Sequence, residues 1–396
     1  MLKYEKKPGL SEMMVVGFSR SKKNLVIPDI VDGLTVTTIC SRALKHCVNL
    51  ETVVIPDSVT SIEECAFEDC FKLKSVTLPE NIEEINFGTF NNCGSLESVT
   101  MPDGVKSIGK YAFENCFKLK SVKIPDSIKI IGSFAFSKCY DLKSVTLPEN
   151  IKEIAWGTFY NCGSLESIKI PDNVRSTGAY TFQGCINLKS IVLPKNTYAI
   201  GHYLFCSCCS LESIIIPDKT KGIGEAAFYG CEKLKSVILP DSLEVIDEDA
   251  FEKCTALTSI VIPGSVELIR SGAFSECTNL KSVILSNGIK RIDRGVFWGC
   301  DKLTSVTIPQ SVEKFEFDAF HRCNNLHTLI IKNPDCEITP YFLYDMFMDP
   351  SVSRKNKNAS QGIIHPTIIG YKNSTAQQFA KKYNYKFKAI EDKTDS

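Results

Sequence analysis

Eighteen cysteines and five histidines are the side chains best equipped for chemistry in this chain. Thiols can bridge, ligate zinc or attack an electrophile, and imidazoles can ligate or move protons. The densest cluster is Cys206-Ser207-Cys208-Cys209, with His202 nearby. A structural zinc site needs about four convergent ligands, and this segment offers three thiols of which the middle one belongs to a core series. Cys206 and Cys209 take positions held elsewhere by polar residues, so both are expected to be partly exposed. The histidines, His46, His202, His321, His327 and His365, are dispersed, and the nearest group (His321, Cys323, His327) again includes a core cysteine. No GxxxxGK[ST] or GxGxxG phosphate cradle occurs. These residues predict no enzyme, no metal and no cofactor.

The elements that position the thiols explain them better. Thirteen cysteines, Cys47, Cys70, Cys93 and on to Cys323, recur every 23 residues. Leucine keeps the same step from Leu50 to Leu326, phenylalanine from Phe67 to Phe320 with Leu44 ahead of it, and proline from Pro56 to Pro309 with Ser286 standing in once. In one unit, Leu73-Lys-Ser-Val76-Thr77-Leu78, the alternation is that of a half-buried strand, which Pro79 ends by removing a donor. Ile82 and Ile85 mark a second short extended stretch, and the AFxxC segment reads as one helical or 3₁₀ turn carrying phenylalanine and cysteine inward. A unit this short cannot bury such a face alone, so the units stack with parallel strands about 4.8 Å apart. A crossover between parallel strands favours a right-handed coil. Disulfides along the cysteine column are disfavoured. The count is odd, interior members have two equivalent neighbours, and stacked side chains point the same way.

The pattern LxxVxLPxxIxxIxxxAFxxC resembles the BspA-like class of leucine-rich repeats over nearly the whole chain. The resemblance implies an α/β-type leucine-rich-repeat solenoid, mostly parallel β with short helical turns, right-handed, with N- and C-terminal caps. The expected division is a cap at 1–32, thirteen coils at 33–331, a cap at 332–390 and a flexible tail at 391–396. Asn333–Ile338 and the closing segment from His365 match the class, with Ser374 and Gln377 reading as a capping box. Ser351–Gln361 reads as a loop. The resemblance also implies a non-catalytic recognition or adhesion scaffold that meets a protein or other surface macromolecule through its strand face, at the cell surface or secreted. Met1–Ser11 lacks the apolar core of a secretory signal, which leaves open a processed form, another route of export, or the other reading, a cytoplasmic leucine-rich-repeat scaffold or regulator. Asn358 and Asn373 are N-x-[ST] sequons that matter only in a glycosylating pathway.

With 46 basic and 46 acidic side chains and no apolar run near the roughly 18 residues of a membrane span, nucleic acid and transmembrane insertion are not expected, and a monomer is. Residues 71–93 match 140–162 at 17 positions but 94–116 at only 9, which points to a three-coil block, 71–139, copied as 140–208. Charges one position before the strand alternate along Glu51, Lys74, Glu97, Lys120 and again from Lys143, so the only like neighbours flank that join. The outward strand position reads Thr77, Thr100, Lys123, Thr146, Lys169, then Val192, Ile215, Ile238, Val261, Ile284. The second group forms a candidate partner-binding stripe. Val237, beside it, is expected in the core. Phe71, Phe117 and Tyr140 follow the core cysteine at turns and form a second candidate partner surface. Phe87, Trp156, Tyr111, Phe134, Tyr180 and Tyr203 read as packing.

Overall fold

The alternation SVT or SIV, with proline two positions past its end, produces strands only three or four residues long whose middle side chain is buried and whose flanks are open. A computed structural model describes residues 1–18, 22–340 and 365–391. The proposed loop Ser351–Gln361 and all but the first residue of the proposed tail lie outside the described residues. The chain divides into two compact units, Met1–Pro194 with Ser207–Cys209, and Lys195–Cys206 with the residues from Ser210 onward. Each is a parallel-strand β-solenoid with little helix.

In the first unit, Leu2–Lys6 pairs antiparallel with Glu12–Phe18, which lies parallel to Leu34–Ile39. The outward-facing strands run Asn24–Val26, Thr52–Val54, Ser75–Thr77 and Ser98–Thr100, then Ser121–Lys123, Ser144–Thr146, Ser167–Lys169 and Ser190–Val192. Val76 faces Val99 and Val122 faces Val145, the 23-residue register read from the sequence. The strand row thus starts within 1–32. In the second unit, seven short parallel strands from Ala199–Ile200 to Glu337–Thr339 form one sheet. Ser213–Ile215 pairs with Ser236–Ile238, and Ser259–Ile262 with Ser282–Leu285. The row then runs through Ser305–Ile308 and Thr328–Ile331 into Thr367–Gly370 and Phe387–Ala389.

Phenylalanines fill each core as stacks, with centroids 5.3 Å apart for Phe67 and Phe90 in the first unit and 5.0 Å for Phe228 and Phe251 in the second. The helix expected after Ser374 spans Thr375–Lys382, with the Ser374 hydroxyl accepting from the Gln377 amide. Among the described residues no helix is long and apolar enough to cross a membrane.

The expected helical turn around AFxxC is different. Two residues per coil, four apart, take left-handed backbone angles: Cys65 and Asp69, Gly88 and Asn92, Tyr111 and Asn115. Backbone donors then alternate. Ala66, Glu68 and Cys70 close turns within the coil, while Cys65, Phe67 and Asp69 donate to carbonyls of the next coil. A helix would spend all of these donors internally. Asp318 takes the first of these positions without a positive φ, and its coil is the one that closes a 3₁₀ turn, Phe317–Phe320.

Candidate functional site

The strand face of each unit is built from repeated three-residue strands, so every outward position forms a column with one side chain per coil. On the entering side, oppositely charged side chains pair between neighbouring coils: Glu51 with Lys74 at 2.8 Å, Glu97 with Lys120 at 2.6 Å and Glu166 with Lys189 at 3.0 Å in the first unit, Glu212 with Lys235 at 2.9 Å in the second. The hydrogen bond from each lysine holds its carboxylate below the usual range. All of these groups are solvated, so the ladder fixes register more than it adds stability.

The next outward column holds the Val/Ile series. Val192, in the first unit, lies in register with Lys169. In the second unit Ile215 sits beside Ile238, and Val261 beside Ile284. Their exposure runs from 54% to 72%, far above what β-branched residues show in a packed face. Val237, expected in the core, is only half-buried, as is Leu239; the hydrogen-bonded ladder stops between Ser236–Ile238 and Ser259–Ile262. Its in-register partner Ile214 is fully buried.

Phe71, Phe117 and Tyr140 stand on the turn before the strand and are 42% to 49% exposed. Phe117 and Tyr140 stack with centroids 5.3 Å apart, while Phe71 has Gly94 in the coil after it. A Cβ on Gly94 would come within 3.1 Å of the Phe117 ring, so the glycine is what lets that ring settle toward its neighbour. The sequence reading missed Val48 and Ile186 in this column, and Val26 and Val54 in the strand column, all exposed. The column step reaches Val48, Ile186 and Val54; Val26 breaks it, since Val26 aligns with Val54 across a longer first loop.

Of the aromatics expected to pack, Tyr111 and Phe134 are half-buried, whereas Phe87 and Trp156 stand 41% and 60% exposed. Phe87 lies edge-on to Tyr111 at 5.7 Å, and Tyr111 stacks on Phe134 at 5.6 Å. A Cβ on Gly157 would run into the Phe134 ring. Cys209 is half-exposed, but Cys206, expected to be partly exposed, is buried, as are the other short side chains in its slot, Ser137 and Ser275, whereas longer ones such as Glu68 and Tyr160 reach out and are half-buried. All eighteen cysteines are unbridged. Among the described residues no three histidine, cysteine or acidic side chains converge to hold a metal. In the second unit, a groove of about 560 Å³ opens beside Trp298, Thr278 and Asp301, with the Arg322 guanidinium 5.2 Å above the indole.

The family profile of the BspA type leucine-rich repeat region matches six copies, over residues 37–124, 106–221 and 198–327. No curated protein matches the sequence. Among solved structures, a leucine-rich repeat protein from Bacteroides ovatus is 28% identical, with a TM-score of 0.86 and 98% of each chain covered. A Treponema pallidum leucine-rich repeat protein is 33% identical over 48% of this chain and 88% of its own, with a TM-score of 0.45. The pneumococcal vaccine antigen PcpA is 18% identical, with a TM-score of 0.50 and coverage of 98% and 96%, a likeness of fold.

Proposed function

The chain belongs to the BspA-type leucine-rich repeat family, and on that premise we propose that it is a non-catalytic recognition or adhesion scaffold whose strand face meets a macromolecular partner. Repeat families of this kind are generally non-catalytic scaffolds. The observation that carries the reading is the exposed row Ile215, Ile238, Val261 and Ile284, in the strand column that holds threonine or lysine in five coils of the first unit, from Thr77 to Lys169. Burying four such side chains against a partner removes enough apolar surface to matter, at about 25 cal/mol for each Å². The coils from 33 to 331 would carry this face, and residues 1–32 and 332–390 would cover the open ends of the core, since a terminal coil otherwise exposes its stacked phenylalanines.

The test is capture of a partner by the immobilised protein from a complex extract, repeated with Ile238→Glu, with Thr146→Glu as a surface control and Ile214→Glu as a folding control. The expected result is that Ile238→Glu loses the captured species while keeping its melting temperature, that Thr146→Glu retains both, and that Ile214→Glu melts early because it buries a charge. A partner held equally by wild type and Ile238→Glu would end the reading. A second reading, an intracellular scaffold using the same face, draws support from eighteen unbridged thiols, which suit a reducing setting. Protease treatment of intact cells separates the two, since only a surface protein is cut.

A further inference from the structure

In three coils of the first unit an aromatic in the turn column accompanies a threonine or lysine in the strand column: Phe71 with Thr77, Phe117 with Lys123 and Tyr140 with Thr146. In the first unit the segments Phe71–Thr77 and Phe117–Lys123 place lysines around those rings, at Lys72 and Lys74, and at Lys118, Lys120 and Lys123. The coil from Phe117 to Lys123 has three lysines and no acid. Lys120 is already paired with Glu97. Lys118, Lys123 and Lys143 are exposed and make no ion pair among the described residues, although Lys118 lies near Glu97 and Lys143 near Glu166. Asp141 faces Lys120. Thr146, which lies in register with Lys123, leaves that ammonium open on one side.

The far rim of the same face has the opposite sign. Asp57, Glu80, Asp103, Asp126, Glu149 and Asp172 follow the proline of each coil and are exposed, and Glu149 takes up Lys169 at 2.9 Å. The face is therefore polarised, with the aromatic pair on the basic side.

We infer that Phe117, Tyr140, Lys118, Lys123 and Lys143 seat an acidic peptide segment of a protein partner, its carboxylates over the ammonium groups and an apolar side chain against the two rings. This rests on the reading of the chain as a recognition scaffold and names the chemistry of one partner segment. Charge complementarity selects the occupant. From Lys118 to Lys123 the row runs about 16 Å at strand rise, a span of a few residues of extended peptide. A duplex or single strand of nucleic acid would need a longer basic track than two coils, on a chain of zero net charge. The parallel stacking of Phe117 on Tyr140 uses the inner ring faces on each other, so what remains outward suits an aliphatic side chain better than a sugar ring.

The experiment is fluorescence anisotropy of the full chain with a short labelled peptide of alternating glutamate and leucine, its lysine–leucine counterpart, and a heparin fragment. The glutamate peptide is expected to bind and the lysine peptide is not, with affinity falling as salt shortens the screening length. The triple variant Lys118→Glu, Lys123→Glu, Lys143→Glu is expected to weaken binding about tenfold or more. Phe117→Ser with Tyr140→Ser weakens it as well, and Asp126→Lys on the far rim does not. Melting curves confirm that these exposed changes leave the fold intact. Peptide affinity indifferent to the three lysines would overturn the assignment, as would a heparin fragment bound more tightly than the peptide and unaffected by Phe117→Ser. If partner capture depends on Ile238 while the peptide ignores the lysines, the scaffold reading stands and this one falls.

Discussion

The core thiols behave as small hydrogen-bonding apolar groups, and their geometry says why cysteine is suited to the position. Cys93 Sγ lies 3.2 Å from the Phe67 carbonyl, Cys116 Sγ 3.3 Å from that of Phe90, and Cys254 Sγ 3.3 Å from that of Phe228. Each thiol thus donates weakly to a carbonyl of the preceding coil that also accepts an amide of its own turn. Burial pushes these thiols far up, to about 12 at Cys185 and Cys277, so the nucleophilic thiolate is absent near neutrality. Alkylation with iodoacetamide at pH 8, read by peptide mass spectrometry, should label Cys209 first and Cys40 more slowly, since burial also raises the Cys40 thiol. Cys254 and its column should be labelled only in denaturant. Labelling of Cys254 at the rate of Cys209 would mean that the coils open readily. The inertness of the column was legible from its period alone. The burial of Cys206 was not, because the slot is half-open to the long residues that fill most coils, such as Glu68 and Glu252, and covers only short ones such as Ser137 and Ser275.

Among the elements, the strands and their register followed directly from the columns, whereas the turn did not. Tyr111 at φ 59° and Phe134 at φ 58° occupy a backbone region that large side chains normally avoid at a cost of roughly 1–2 kcal/mol. Each backbone N–H donates a hydrogen bond to a carbonyl of the next coil, Tyr111 to Ser133 at 3.1 Å and Phe134 to Trp156 at 2.9 Å, which offsets that cost. Only the glycines at the same position, such as Gly88 and Gly157, hint at it in sequence, and four aromatics, Tyr111, Phe134, Tyr180 and Tyr203, mask the hint. The 3₁₀ turn at Phe317–Phe320 departs from this rule and carries a test. Burial, then the charge of Glu316, raises the Asp318 carboxyl from 3.8 to about 6, although the Arg294 guanidinium 3.3 Å away works in the opposite direction. The fold favours the neutral acid. Its contribution is therefore whole below about pH 4 and is lost as pH rises through about 6. Asp318→Asn keeps the group neutral throughout, so it should melt higher than wild type at pH 7, by about 1 kcal/mol after allowance for partial solvation, and match it at pH 4. Thermal melts at the two pH values check this, and a lower melting temperature at pH 7 would show that the Arg294 pair outweighs burial.

At the scale of the molecule, a repeat array is held by neighbour interactions, so its length can change in whole periods without disturbing register. The duplicated block offers a strict case within the first unit. Removing residues 71–139 joins Cys70 to Tyr140, and every column continues across the join: Leu142 replaces Leu73, Val145 replaces Val76, Phe159 replaces Phe90 and Gly157 replaces Gly88. Charge is preserved as well. Glu51, which now pairs with Lys74 at 2.8 Å, would meet Lys143, and the like-charged neighbours Lys120 and Lys143 would be separated for good. The buried Cys65 thiol, against which Gly88 packs closely, would receive Gly157 in the same role. The shortened chain is therefore expected to fold, with an unchanged far-UV circular dichroism spectrum per residue and a cooperative melt. A deletion of 71–133, which leaves residues 134–139 of the block behind, should not fold, because it breaks the period and places polar residues at core positions. The 71–139 deletion also separates the two surfaces: it loses Phe117, Lys118 and Lys123 and with them the acidic peptide, while retaining Ile215, Ile238, Val261 and Ile284. A block-deleted chain that folds and still captures the partner lost by Ile238→Glu would place that partner on the second unit's stripe. Failure of the block-deleted chain to fold would mean that stability depends on array length more than on the fit between neighbouring coils.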